Sequence, residues 1–141
     1  MMTPQQCQLV KRSFRIAETQ RIQLAGCFMA ELFARDPALW RLFSSNPALR
    51  GDKLHHAVAG IVALVDRLHP IVPVLEWLAF HGAALGIGER HHVIIADALL
   101  SALESLLGDS FTPAHRQSWW LACRQVIDVM LHALEAEPLA A

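Results

Sequence analysis

The sequence predicts an all-α protein of about seven helices, because apolar residues recur at spacings of three and four along most of the chain. Two further observations agree. Prolines fall where helices start, after residues that cap helix N-termini. No Asn-Gly or similar turn joins two alternating apolar runs, so no β-hairpin is predicted.

The elements follow in chain order. Thr3-Pro4 is an N-cap followed by Pro in the first turn, and opens a helix over 4–19. Leu24, Phe28, Leu32 and Phe33 carry the stripe of a second helix over 20–35. Asp36-Pro37 ends that helix and begins a short one over 37–43. Asn46-Pro47 starts the next, predicted over 48–68, with Leu54, Val58, Ile61, Val62 and Val65 on its apolar face. A fifth is predicted over 71–85. The last two, over 89–107 and 113–136, are long and wholly periodic. Gly108-Asp109-Ser110 separates them, and Thr112-Pro113 repeats the opening signal. Helices this apolar must pack on one another or on a large apolar ligand.

Composition narrows the functional classes. The chain has 141 residues, the size of one domain, expected over 1–141. Its 54% hydrophobic content against 18% charged residues argues against disorder. The 12 basic and 13 acidic residues give no basic face, so no nucleic-acid partner is expected. The longest apolar stretch, 57–75, is broken by Asp66, Arg67, His69, Pro70 and Pro73, so no membrane span or membrane partner is expected. The first residues lack the order of a signal peptide, and the protein is read as cytoplasmic. Cys7, Cys27 and Cys123 are odd in number and far apart, which points to small core hydrophobes rather than disulfides or a zinc site. Eight histidines and no tyrosine are the first hint of metal chemistry, although histidines also decorate solvent faces. No HExxH motif or paired-carboxylate arrangement is present, so no catalytic residue is assigned.

Several segments in order carry a resemblance. They are Leu32-Phe33-Ala34-Arg35-Asp36-Pro37, Leu42-Phe43 and Gly51-Asp52-Lys53-Leu54, then Leu78-Ala79 with Gly86-Ile87, Ala98-Leu99-Leu100, and 106–113 with Trp119. Across nearly the whole chain this pattern resembles the single-domain bacterial haemoglobins and the globin part of flavohaemoglobins. The resemblance implies a globin fold around a haem pocket, with haem b and its iron as cofactor and a diatomic gas as ligand. It places Phe43 as the ring that wedges the haem and Met29 at the distal position of the second helix. Arg50 falls on the distal position of the fourth helix, Leu54 one turn later over the iron, and Lys53 within reach of a propionate. For Arg50 and Lys53, a solvated helix start is an equal alternative. Ile87 and His92 are expected to line the ligand side of the haem.

The sequence departs from the family at the iron ligand. An ungapped match puts Gly82 at that position and His81 one residue early. One residue rotates a side chain by about 100° around a helix and shifts it about 1.5 Å along the axis. Two readings follow. In the first, a π-bulge or a helix rotation brings His81 to the iron, helped by the backbone freedom of Gly82. In the second, the domain has lost haem and serves as a globin-like interaction or apolar-ligand-binding domain. Relatives also orient the ligand imidazole with a tyrosine and a glutamate, and the matching residues here are His92 and Leu134. Dioxygenase or peroxidase-type chemistry is therefore expected only with an external reductase. The expected role is reversible gas binding for storage, sensing or redox; a homodimer is left open.

Overall fold

The computed structural model describes the backbone of residues 2–45 and 52–140, and the side chains of 2–45, 55–68 and 70–135. Seven α-helices follow one another: α1 (Pro4–Glu18), α2 (Arg21–Arg35), α3 (Pro37–Ser45), α4 (Asp52–Ala63), α5 (Val72–Ala84), α6 (Glu89–Leu107) and α7 (Pro113–Ala140). Among the described residues there is no strand, and the architecture is the all-α globin fold.

The helix starts are built as their sequences dictate. At α1, Thr3 Oγ1 accepts from the Gln6 N–H at 3.1 Å, while the Thr3 N–H donates to Gln6 Oε1 at 2.9 Å. Asp36 serves two helices. Its N–H donates to the Leu32 carbonyl at 2.8 Å and ends α2, and its Oδ1 accepts from the Leu39 N–H at 3.0 Å to open α3. Two histidines do the same work: Gly88 N–H donates to His91 Nδ1 at 2.9 Å at α6, and Thr112 N–H to His115 Nδ1 at 3.2 Å at α7.

Two boundaries differ from the sequence expectation by more than two residues. The helix predicted over 48–68 is α4, which stops at Ala63. There the bonding tightens to three-residue steps, with Leu64, Val65 and Arg67 N–H donating to the Ile61, Val62 and Leu64 carbonyls. Its expected start, including Asn46-Pro47 and Arg50, lies outside the described residues. At the other end α7 runs to Ala140, past Pro138.

α2 packs chiefly on α6, and α7 packs on α5 and α1. The α1–α7 contact is pinned by one buried polar bond, from Trp119 Nε1 to Ser13 Oγ at 2.8 Å. Ser13 is satisfied in turn by donating to the Leu9 carbonyl at 2.6 Å. The apolar interior these helices enclose includes Val10, Phe28, Leu32, Leu100 and Leu103. α5 is the exception to amphipathicity. It buries Leu75, Ala79 and Gly82 but leaves Val74, Trp77 and Phe80 exposed on its outer side.

Candidate functional site

All seven helices line one cavity of about 280 Å³. That is close to the lower end of small-ligand pockets, roughly 300–1,000 Å³. Its described walls are apolar: Phe14 from α1, Leu24 and Phe28 from α2, Phe43 from α3, Val58 and Ile61 from α4, Leu75 and Leu78 from α5, Ile95 and Leu99 from α6, and Trp119 and Ile127 from α7. Against them stand few ionisable side chains: Arg21, His55, His81, His92 and the Cys123 thiol.

The C-terminal turn of α5 sets the critical wall. α5 ends in a left-handed glycine, Gly86 at φ 87°. The Gly86 N–H donates to the Ala83 carbonyl at 3.0 Å, and the Ile87 N–H donates to the Gly82 carbonyl at 2.9 Å. This is the paired Schellman arrangement, which satisfies carbonyls that a helix end would otherwise leave open. It folds Ile87 back over Gly82, so that a β-carbon on Gly82 would lie 3.6 Å from Ile87 Cβ. Gly82 and Ile87 are both buried, and both line the cavity.

His81 precedes this turn. The helix around it is regular α-helix as far as Ala84, without the π-bulge that was one of the expected ways for His81 to reach the iron. The imidazole nonetheless lines the cavity, and its Nε2 is buried without a hydrogen-bond partner among the described residues. The ring lies against Trp77, one turn back on α5, with centroids 5.0 Å apart and planes 7° apart.

His92, in the first turn of α6, is 7% exposed and also lines the cavity with an unpartnered buried Nε2. Burial pushes its pKa below the ordinary imidazole value, His91 pushes it in the same direction, and Glu89 pulls weakly back. The ring is therefore neutral at pH 7. A buried imidazole nitrogen left unpaired costs about 1–3 kcal/mol. Two of them on one apolar cavity are what a metal-bearing or polar-edged ligand relieves.

The other expected positions divide into three groups. Phe43 is buried, lines the cavity and meets Phe28 edge-on at 5.9 Å. Met29 packs against the core but is not on the cavity wall, where Phe28 of the same helix stands instead. Arg50 lies outside the described residues, and Lys53 and Leu54 lie on α4 with side chains outside them. Leu134 is half-buried on α7 and does not line the cavity.

From the sequence, one of the neighbouring pair His55 and His56 could approach the haem edge, with a solvent or partner face as the alternative; the structure puts His55 on the cavity wall. Its ring stacks on Phe14 at 5.5 Å and its Nε2 is 3.4 Å from Glu18 Oε2, which ties α4 to α1. Cys123, read from the sequence as a buried hydrophobe, is half-buried and free, as is Cys27; Cys7 is buried. Burial, with a smaller contribution from Asp97, pushes the Cys123 thiol up to about 12. Among the described residues no group of three histidine, cysteine or acidic side chains forms a metal cluster. No helix there is long and apolar enough to cross a membrane.

No protein-family model matches the chain. Curated proteins similar to it are named flavohemoprotein. The one from Bacillus subtilis is 25% identical over 134 residues, which is 93% of this chain and 34% of that protein. The Deinococcus radiodurans protein is 25% identical over 93% of this chain and 33% of its own length. The Pseudomonas putida protein is 25% identical over 96% of this chain and 36% of its own length. The chain thus spans about a third of the relatives it matches. These distant similarities support a globin-type family.

Proposed function

We propose that the whole chain is one globin domain that holds haem b in the cavity, with His81 Nε2 as the iron's protein ligand, and reversibly binds a diatomic gas. The observation that carries this reading is that His81 lines an apolar cavity and its Nε2 is buried without a partner among the described residues. The donor chemistry fits the group: an imidazole nitrogen for the iron, and apolar walls for a flat macrocycle. The word haem in the names of the distant relatives agrees with it. Haem, when bound, would supply the iron that takes the gas, and the protein's part would be to hold and shield it.

The chain's own residues divide that work. Phe43, which meets Phe28 edge-on, would pack against the macrocycle, and Ile87 closes the wall over Gly82. His92 stays neutral and brings no charge to the apolar wall. Arg50, Lys53 and Leu54 are the residues proposed for the gas-binding side and the propionates, while Met29 packs on the core rather than on the cavity wall. Any redox turnover takes electrons from an external flavin-bearing reductase, in line with the flavin in the relatives' names.

The test is haem titration of the purified chain. Wild type is expected to develop a Soret band at one haem per chain. His81→Ala is expected to lose it or to shift it strongly, while His132→Ala leaves it unchanged. Equal binding and identical spectra for wild type and His81→Ala would remove the ligand assignment. A chain that folds but develops no band at all would be a haem-free globin-like domain.

A further inference from the structure

A histidine that binds a metal is normally held in orientation by a hydrogen bond from its second ring nitrogen to a carboxylate, a carbonyl or water. Without one, the torsion that sets the ring plane is soft and broadly two-fold. The residues here that match the orienting tyrosine and glutamate are His92, whose own Nε2 is unpartnered, and Leu134, an alkyl group off the cavity. Another feature has to fix the plane of His81.

Trp77 lies four residues before His81, and helical side chains lean toward the N-terminus, so each rests on the residue one turn earlier. Here the two rings are nearly parallel, with centroids 5.0 Å apart and planes at 7°. The indole is 57% exposed, a costly position for the largest apolar side chain unless it covers something. It covers one face of the imidazole while the Nε2 edge stays buried at the cavity.

We infer that Trp77 is the positioning residue for His81: its stacked indole fixes the imidazole plane with Nε2 aimed into the cavity, in place of a hydrogen-bonded carboxylate. This rests on His81 being the iron ligand. The stack itself exists without haem, so it is tested separately. Replacing the indole by an alkyl group frees the ring to swing about its soft torsion. Replacing it by a phenyl ring keeps the stack.

The experiment compares wild type, Trp77→Leu and Trp77→Phe, first haem-free and then loaded with haem. In the haem-free proteins, the His81 ring protons are expected to show an upfield NMR shift from the indole that Trp77→Leu abolishes. In the loaded ferrous proteins, resonance Raman is expected to show an iron–imidazole stretch that broadens and moves in Trp77→Leu and returns in Trp77→Phe. Haem release is expected to speed up about five- to tenfold in Trp77→Leu, the equivalent of one aromatic pair, and far less in Trp77→Phe. A Trp77→Leu protein with the wild-type stretch and release rate overturns the inference. If the haem-free shift is present but His81→Ala keeps the iron–imidazole stretch, the ligand assignment fails while the stack stands. Absence of the haem-free shift overturns the stack alone.

Discussion

Ile87 lies directly over Gly82, its N–H donating to the Gly82 carbonyl at 2.9 Å and its side chain filling the space above the glycine's Cα. A β-carbon on Gly82 would meet Ile87 Cβ at 3.6 Å, an ordinary van der Waals contact. Gly82 has a helical backbone, so nothing there requires glycine's freedom. Gly82→Ala is therefore expected to be neutral or to stabilise the fold by up to about 1 kcal/mol. Four residues on, Gly86 sits at φ 87°. Gly86→Ala is expected to cost about 1–2 kcal/mol. Urea unfolding of both variants checks the contrast, and a larger loss at Gly82 than at Gly86 would refute it.

The register problem at the ligand position illustrates what the sequence made legible. The helices were readable because their caps are local: Thr3 with Gln6, Asp36 with Leu39, and glycine at the ends of α5 and α6. Phe43 came from the resemblance alone, and the structure puts it two residues before the end of α3 and on the cavity wall. His81 was harder, because one residue of helix register decides which way a side chain faces, and the sequence does not show how far a long imidazole reaches around the helix. In the structure the helix there is regular, and His81 lines the cavity with its Nε2 buried. The histidine excess was only partly informative. His91 and His115 cap helices and His55 braces α4 against α1, which are tertiary roles that composition does not reveal. Met29 and Phe28 differ by about 100° on α2, and packing against α3, rather than any local signal, gave the cavity wall to Phe28.

Ser13 and Trp119 test how much one buried polar bond holds α1 to α7. Trp119 is 2% exposed and Ser13 is 3% exposed. Ser13→Ala leaves the indole N–H buried without an acceptor, at an expected cost of about 1–3 kcal/mol. In the background of Trp119→Phe the same change removes no acceptor from an indole, so its cost is expected to fall well below that. A double-mutant cycle by urea unfolding checks the coupling, and strictly additive losses would contradict it.

Cys123 carries a thiol that stays protonated, with a pKa pushed to about 12, so it is a poor nucleophile at pH 8. Iodoacetamide at pH 8 is expected to leave Cys123 unmodified in the native protein and to modify it fully in urea, read by peptide mass spectrometry. Rapid native labelling of Cys123 would mean that the cavity wall opens far more readily than its packing implies.

His92 gives the haem-free protein a pH dependence whose sign follows from its burial. Its folded pKa lies below the ordinary imidazole value because the ring is desolvated, while in the unfolded chain it titrates near about 6.5. Between those two values the unfolded chain binds more protons, so unfolding free energy rises with pH. The stability is fully present above about pH 6.5 and is lost as pH falls through that value toward the folded pKa. His92→Leu removes the titration and also the unpartnered Nε2. Haem-free His92→Leu is therefore expected to show a flatter stability profile than wild type on the acid side of neutrality, with no loss of stability at its lowest pH relative to wild type. Urea unfolding at a series of pH values checks both. Parallel profiles for the two proteins would show that His92 titrates alike folded and unfolded, and that the cavity is wetter than its apolar walls suggest.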